Sequence, residues 1–219
     1  MKVKLISYSR VPDEDTWVND DLLDLVAFCA RVSNPDNQMN TETSEKLVKY
    51  LVKNKHWSPF EMVNVCMEIE TTRDIARQML RHRSFSFQEF SQRYADPTVD
   101  LSFEIREARL QDLKNRQNSI EFVDAKDENI KGRWEDWQRS IIASAQDAYK
   151  WAINNGIAKE VARAVLPEGL TMSRMYMNGT LRSWIHYIQL RSANGTQKEH
   201  IEIAYACAKV IHSLFKAEI

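Results

Sequence analysis

The chain has 219 residues, of which 43% are hydrophobic and 28% charged, enough for one domain with a sizeable core. Thirty Lys and Arg against 31 Asp and Glu give a formal net charge of -1, which excludes a global field drawing the protein to nucleic acid. Any basic cluster must therefore act locally, on a small anion. No apolar run approaches membrane-spanning length, and Met1 to Leu5 leads straight into a strand pattern, so neither a span nor a signal peptide is expected. The three cysteines, Cys29, Cys66 and Cys207, lack ligand spacing and read as reduced thiols of a cytoplasmic protein, with Cys29 and Cys207 as small core residues. Five histidines without an HExxH pair argue against a metal site. Five glycines, none in a GxGxxG or GxxxxGK run, argue against a glycine-rich nucleotide loop, so side chains must hold any bound phosphates.

Residues 2 to 8 alternate as a strand, and Asp20 to Val32 carries Leu22, Leu25 or Val26, and Cys29 on one helical face before Asn34-Pro35 breaks it. A second helix is expected from Glu42 to Lys53. Pro59 holds Ser58 out of helical geometry, making a rigid corner from His56 to Glu61. Val63, Val65, Met67 and Ile69 then alternate with polar residues as a half-buried strand.

That strand feeds a short helix with Thr71 and Asp74 at capping-box spacing and Ile75, Ala76, Met79 and Leu80 as its buried stripe. Arg73, Arg77 and Arg81 stack along one face, with Gln78 close by and only Asp74 as a nearby acid. Guanidinium groups crowded without acids repel unless an anion sits between them, and the arginine fork suits a phosphate. A polar, aromatic-studded loop follows, from His82 to Tyr94. Leu101, Phe103 and Ile105 suggest a short strand, and the polar stretch from Arg106 to Asn129 one helix.

Trp134, Trp137, Ile141, Ala145 and Ala148 define a long amphipathic helix, its tryptophans read as core or subunit contacts, with a left-handed stop at Asn154-Asn155-Gly156. Ala158 to Leu166 forms a short helix with Glu160 and Arg163 at ion-pair spacing. Asn178-Gly179-Thr180 reads as a turn into a helix from Leu181 to Leu190, with Arg182 and His186 on its polar face and Arg191 closing it. Thr196 and Glu199 make a capping box for a last helix that buries Ile201, Tyr205, Ala208, Ile211 and Phe215.

Arg81-His82-Arg83, seven residues, Ser91, then Arg93-Tyr94 resembles the signature of the flavin-dependent thymidylate synthases. The His56-Trp57-Ser58-Pro59-Phe60-Glu61 corner and the Glu160-Val161-Ala162-Arg163 to Leu166-Pro167 run are similar to two further motifs of that family, in the right order. The resemblance implies an α+β single domain, helix-rich, with a small mixed or antiparallel sheet flanked by helices. It implies reductive methylation of dUMP to dTMP, with methylenetetrahydrofolate as carbon donor, FAD carrying hydride and NADPH recharging it. A homotetramer with sites at subunit interfaces is implied too.

Carried over residue by residue, Gln78, Arg81, Glu89, Phe90, Ser91, Gln92, Arg93, Arg163 and Arg191 would bind dUMP. Ser33, His56, Ser58, Arg81, His82, Arg83, Glu89, Asn178, Thr180, Arg182 and His186 would hold FAD. Arg191 is the expected activating residue, its guanidinium stabilising negative charge on the uracil so that C5 becomes nucleophilic without covalent attack. The sequence departs from the family at Thr180, where an asparagine is common, and at Gly195, where a histidine is common; Asn178 and Thr180 thus compete for one flavin contact. Two other functions use the same residues. A single-stranded nucleic-acid-binding module would stack bases on Phe85, Phe87, Phe90 and Tyr94, and a flavin oxidoreductase without methyl transfer would have no need of Arg163 and Arg191.

Overall fold

A computed structural model of the chain describes residues 1–11, 21–123 and 127–215. Asp20, the expected start of the first helix, lies outside the described residues. The α+β expectation holds, and the sheet is wholly antiparallel. Strands β1 (Lys2–Tyr8), β2 (Asn64–Thr72), β3 (Phe85–Glu89) and β6 (Met172–Thr180) lie in the order β1-β2-β6-β3. A separate two-stranded hairpin, β4 (Leu110–Gln111) and β5 (Ser119–Ile120), stands where one helix was expected.

Helices α1 (Leu22–Ala30) and α2 (Ser44–Lys53) precede the proline corner, which is a 3-10 turn from Ser58 to Met62 with Ser58 as its first residue rather than outside it. Helix α3 (Arg73–Met79) continues β2 without a loop. Its N-cap is Thr72, not Thr71: the Thr72 hydroxyl donates to Asp74 at 2.6 Å, and no backbone capping bond forms. A short α4 (Pro97–Asp100), the long α5 (Glu128–Asn154), α6 (Lys159–Ala162), α7 (Leu181–Arg191) and α8 (Lys198–Ser213) complete the described chain. Gly156, with φ of 76°, supplies the left-handed stop after α5.

Two expected loops are strands. β3 alternates Phe85 and Phe87 inward with Ser86 and Gln88 outward and pairs with β6, Phe85 opposite Gly179. β6 is the central strand, and the Asn178-Gly179-Thr180 turn is its last three residues. By contrast Phe103 makes only an isolated bridge to Thr171, so no strand forms at Leu101–Ile105.

The core fills one face of the sheet. Val65, Met67 and Ile69 of β2 and Met175 and Met177 of β6 pack under Leu22 and Val26 of α1, Ile75 and Met79 of α3, and Trp184 and Tyr187 of α7. On α8 the buried stripe is His200, Ile203, Ala204, Cys207 and Ile211, while Tyr205 is 54% exposed. The expected positions Ile201, Tyr205 and Ala208 are therefore one position out, whereas Ile211 and Phe215 are buried as expected. The expected Thr196 box is also absent, the N-cap being Gln197. Cys29 is only half-buried. α5 carries a second, small core of Tyr149 and Ala152 against Ala162, and its tryptophans are not core: Trp134, Trp137 and Trp151 are largely exposed.

Gly179 is small for a packing reason. A Cβ built there would overlap the Phe85 ring, which is wedged between the strands and Trp184 at a ring distance of 4.8 Å. Gly179→Ala is expected to cost about 1–3 kcal/mol through overpacking, read as a fall in the urea midpoint. A midpoint unchanged from wild type would show that β3 yields without cost.

Candidate functional site

β2 and β6 are antiparallel neighbours, so α3 and α7 leave from opposite ends of the sheet and run back across the same buried face. Their C-terminal turns meet. There the Arg191 Nε donates to the His82 Nε2 at 2.9 Å. An arginine N–H can only donate, so His82 offers a lone pair at Nε2 and carries its proton on Nδ1. Burial, then the neighbouring Arg191 and Arg81 charges, lower its pKa and keep it neutral.

Beside this pair runs a second chain of contacts that the sequence did not disclose. The Tyr187 hydroxyl lies 3.0 Å from His200 Nε2, His200 Nδ1 lies 3.3 Å from Gln78 Oε1, and Gln78 Nε2 donates to Gln197 Oε1 at 2.9 Å. The Tyr187 ring meets His82 edge-on at 5.0 Å, joining the two assemblies. His200 is fully buried, and burial, with Arg191 and His82 nearby, pushes its pKa down to about 3.

His200 is thus neutral when folded but protonated in the unfolded chain below about pH 6.5. Acid therefore favours unfolding, and this contribution to stability is lost as pH falls from about 6.5 toward 3. His200→Asn is expected to flatten the fall in stability between pH 6.5 and 4.5 by up to about 1.4 kcal/mol per pH unit. Parallel wild-type and variant denaturation curves across that range would overturn this.

The expected FAD residues gather elsewhere, around the proline corner and the outer side of α7. Ser58 is exposed at the head of the 3-10 turn, and Trp57 meets His186 edge-on at 4.8 Å. Arg182 is ion-paired with Glu61, and His56 lies edge-on to Tyr50 at 6.0 Å. Asn178 is exposed on β6, whereas the Thr180 hydroxyl accepts from Ser183 N at 3.2 Å as the N-cap of α7. Ser33 lines an open cleft of about 520 Å³ with Arg31, Asn37, Lys46 and Tyr50. Arg81 and Arg83 are exposed in the turn after α3.

Among the expected nucleotide residues, Glu89 is engaged inside the sheet, accepting from Ser173 Oγ at 2.7 Å and facing Arg73 at 3.6 Å. Phe90 N donates to the Arg174 carbonyl at 2.8 Å, which extends the strand geometry into the loop. Ser91 Oγ accepts from Arg93 N at 3.4 Å. Gln92 is 4% exposed, and its amide Nε2 has no hydrogen-bond partner among the described residues. Arg93 pairs with Glu160 at 3.3 Å, so the expected Glu160–Arg163 pair does not form. Arg163 ends α6, half-buried.

The expectation of arginines without acids needs correcting on α3. Arg73 and Arg77 both reach Glu168, at 3.4 and 2.5 Å. Burial opposes ionisation of that carboxyl, but the Arg77 hydrogen bond and the two arginine charges hold its pKa low. Among the described residues, Arg81, Arg83, Arg163 and Arg191 have no carboxylate at ion-pair distance.

The structure thus joins His82 and Arg191 directly, and Gln78 to them through His200 and Tyr187, but no hydrogen bond, ion pair or ring contact among the described residues links them to Arg93 or Arg163. Tyr187, His200 and Gln197 were missed. No group of His, Cys, Asp and Glu among the described residues could hold a metal ion. No described helix is long and apolar enough to cross a membrane.

Comparison with known proteins supports the motif resemblance. The family model described as "Thymidylate synthase complementing protein" matches residues 16–215. A probable flavin-dependent thymidylate synthase of Paramecium bursaria Chlorella virus 1 is 47% identical over 210 residues, covering 96% of this chain and 93% of the relative. A flavin-dependent thymidylate synthase of Synechocystis is 49% identical over 191 residues, covering 87% and 85%. Among solved structures, the UMP/dUMP methylase PolB of Streptomyces cacaoi, bound with 5-Br UMP, superposes with a TM-score of 0.76 at 25% identity, over 98% of this chain and 89% of that one.

Proposed function

This chain belongs to the flavin-dependent thymidylate synthase family, and from that premise we propose that it methylates dUMP reductively to dTMP, taking the carbon from methylenetetrahydrofolate and reducing equivalents from NADPH through FAD. The observation that carries the proposal is Arg191 resting on a neutral His82, a half-buried cation with no carboxylate at ion-pair distance among the described residues.

The residues present fit a flavin dinucleotide. Arg81 and Arg83, exposed and without acids at ion-pair distance among the described residues, suit its diphosphate in place of a glycine-rich loop. Ser33, His56, Ser58, Asn178, Arg182 and His186 would supply the remaining contacts. Because the Thr180 hydroxyl already caps α7, Asn178 is the better candidate for the contact those two residues compete for. When bound, FAD supplies the hydride.

On the nucleotide, Arg191 would stabilise charge spreading onto the uracil oxygens while His82 fixes its orientation. Gln78, Arg81, Arg93 and Arg163 would hold base and phosphate, with the Glu89–Gln92 segment closing over them. No thiol is poised to attack the ring instead: burial raises the pKa of Cys29, Cys66 and Cys207 alike.

Among the described residues no hydrogen bond, ion pair or ring contact joins Arg191 to the Arg93–Arg163 region, which favours sites completed by neighbouring subunits of a homotetramer. The exposed stripe of Ile130, Trp134, Trp137 and Ile141 on α5, at helical spacing, supports such packing. A cytoplasmic location fits three free thiols. The nucleic-acid alternative is disfavoured because Phe85, 9% exposed, is a core residue and not a stacking platform.

The decisive assay is tritium release from C5-labelled dUMP with methylenetetrahydrofolate and NADPH, in wild type and in a variant with Cys29, Cys66 and Cys207 all changed to alanine. Release and dTMP formation are expected in both per folded, flavin-loaded protein. Loss of release in the folded triple variant would point to a thiol route, and a wild type with no release would end the proposal.

A further inference from the structure

Tyr187, His200, Gln78 and Gln197 form one hydrogen-bonded chain beside Arg191, and its direction follows from counting donors. The chain could run in two senses. In one, Tyr187 donates to His200 Nε2, His200 Nδ1–H donates to Gln78 Oε1, and Gln78 Nε2 donates onward to Gln197. In the other the Gln78 and Gln197 carboxamides are flipped and every bond is reversed, so Tyr187 accepts and its own O–H is left with no acceptor, since His200 is the hydroxyl's hydrogen-bond partner among the described residues. Tyr187 is 1% exposed, and an orphaned buried donor is costly, whereas a spare lone pair is better tolerated. The first sense therefore holds. It consumes the Gln78 carbonyl and leaves that amide one N–H to spare.

We propose that His200 is a positioning residue that locks the Gln78 carboxamide so that it presents an N–H, and not its carbonyl, to the nucleotide. This rests on the functional reading above, in which Gln78 contacts dUMP. It assigns a task to two buried side chains that touch no ligand themselves. Their effect reaches the substrate through an amide whose two ends would otherwise exchange freely. A site reading dUMP by a donor at this point selects for a substrate acceptor, such as a ring carbonyl or a phosphate oxygen.

The test uses the holoenzyme and four variants, with dUMP affinity measured by calorimetry and steady-state KM and kcat followed by dTMP formation. Asparagine can place its side-chain N–H near the histidine Nδ1 position but offers Tyr187 no acceptor to fix that orientation, so His200→Asn is expected to raise KM for dUMP less than His200→Leu does. His200→Leu, which fills the space without a donor, and His200→Gln, which reaches toward Tyr187 instead, are expected to raise KM about tenfold with kcat nearly unchanged. Tyr187→Phe, which keeps the ring and removes the proton that sets the direction, is expected to resemble His200→Leu.

A purely structural role would reduce the yield of folded protein and leave KM alone. Wild-type KM and affinity in both His200→Leu and Tyr187→Phe would therefore overturn the proposal, as would a His200→Asn variant no better than His200→Leu. Should His200→Leu not fold, the KM of Tyr187→Phe against that of wild type decides the matter. A wild type that binds no dUMP overturns the functional reading together with this role, whereas dUMP binding that ignores His200 overturns only the role.

Discussion

Changing Arg191 to alanine is expected to leave flavin bound and to lower thymidylate formation by at least about 10²–10³-fold, the effect of removing one preorganised electrostatic stabiliser. The structural case lies in how the side chain is held. Its Nε is spent on His82, which accepts at 2.9 Å, so the two terminal nitrogens remain for a ligand. No carboxylate among the described residues competes for them. Lysine is expected to recover little, because a single ammonium cannot sit on His82 and also present a planar fork to the uracil edge. The check is flavin absorbance alongside tritium release. Turnover like that of wild type in a yellow Arg191→Ala preparation would remove this residue from the mechanism.

The largest stability effect is expected at Glu199. This carboxylate is 6% exposed at the start of α8, with Arg109 Nη2 at 2.6 Å and Arg106 Nη1 at 3.0 Å. The Arg106 approach lacks hydrogen-bond geometry at the Oε2 atom, so that contact is coulombic. Burial opposes ionisation, yet the Arg109 hydrogen bond and both positive charges keep the Glu199 pKa low. Arg106 also grips Asp74 at 2.7 Å, which ties α3 to α8.

Glu199→Ala leaves two poorly solvated guanidiniums facing each other and is expected to cost about 3–5 kcal/mol. The exposed Glu61–Arg182 pair makes the contrast: Glu61→Ala should cost less than about 1 kcal/mol. Urea denaturation of both variants gives the comparison, and a Glu199→Ala loss as small as that at Glu61 would refute it. Since α3 carries Gln78 and α8 carries His200 and Gln197, weaker dUMP binding is expected to accompany the lost stability.

Much of this fold was legible because period and punctuation agreed. The strict alternation from Val63 to Ile69 and the proline corner both stand, and the helix starting at Leu181 begins where it was placed. β6 escaped because its inward positions read Met175, Met177 and Gly179. The Asn178-Gly179 pair mimics a turn, and no local signal reveals that Phe85 fills the space a side chain would take. β3 escaped because its outward polar residues resembled a binding loop, although Phe85 and Phe87 already showed the strand period.

Electrostatics were read less well, for a plain reason. The acids that neutralise Arg73 and Arg77 come mainly from Glu168, more than ninety positions along the chain, and no local window contains it. The Tyr187–His200 contact was missed through a helical stripe drawn one position out. A histidine three, four and seven residues ahead of Ile203, Ala204 and Cys207 would have pointed inward on the correct face.

The strand order has a consequence for biosynthesis. β6 lies between β2 and β3, so residues 172–180 must intervene before segments made about a hundred positions earlier acquire their hydrogen-bonding neighbour. While the nascent chain ends short of them, β2 has a bare edge and β3 has no partner, and the turn bearing His82 and Arg83 has nothing to fix it. Such high contact order slows closure and leaves adhesive strand edges uncovered until β6 is made, so the ribosome must deliver the chain through Thr180 before the sheet can close.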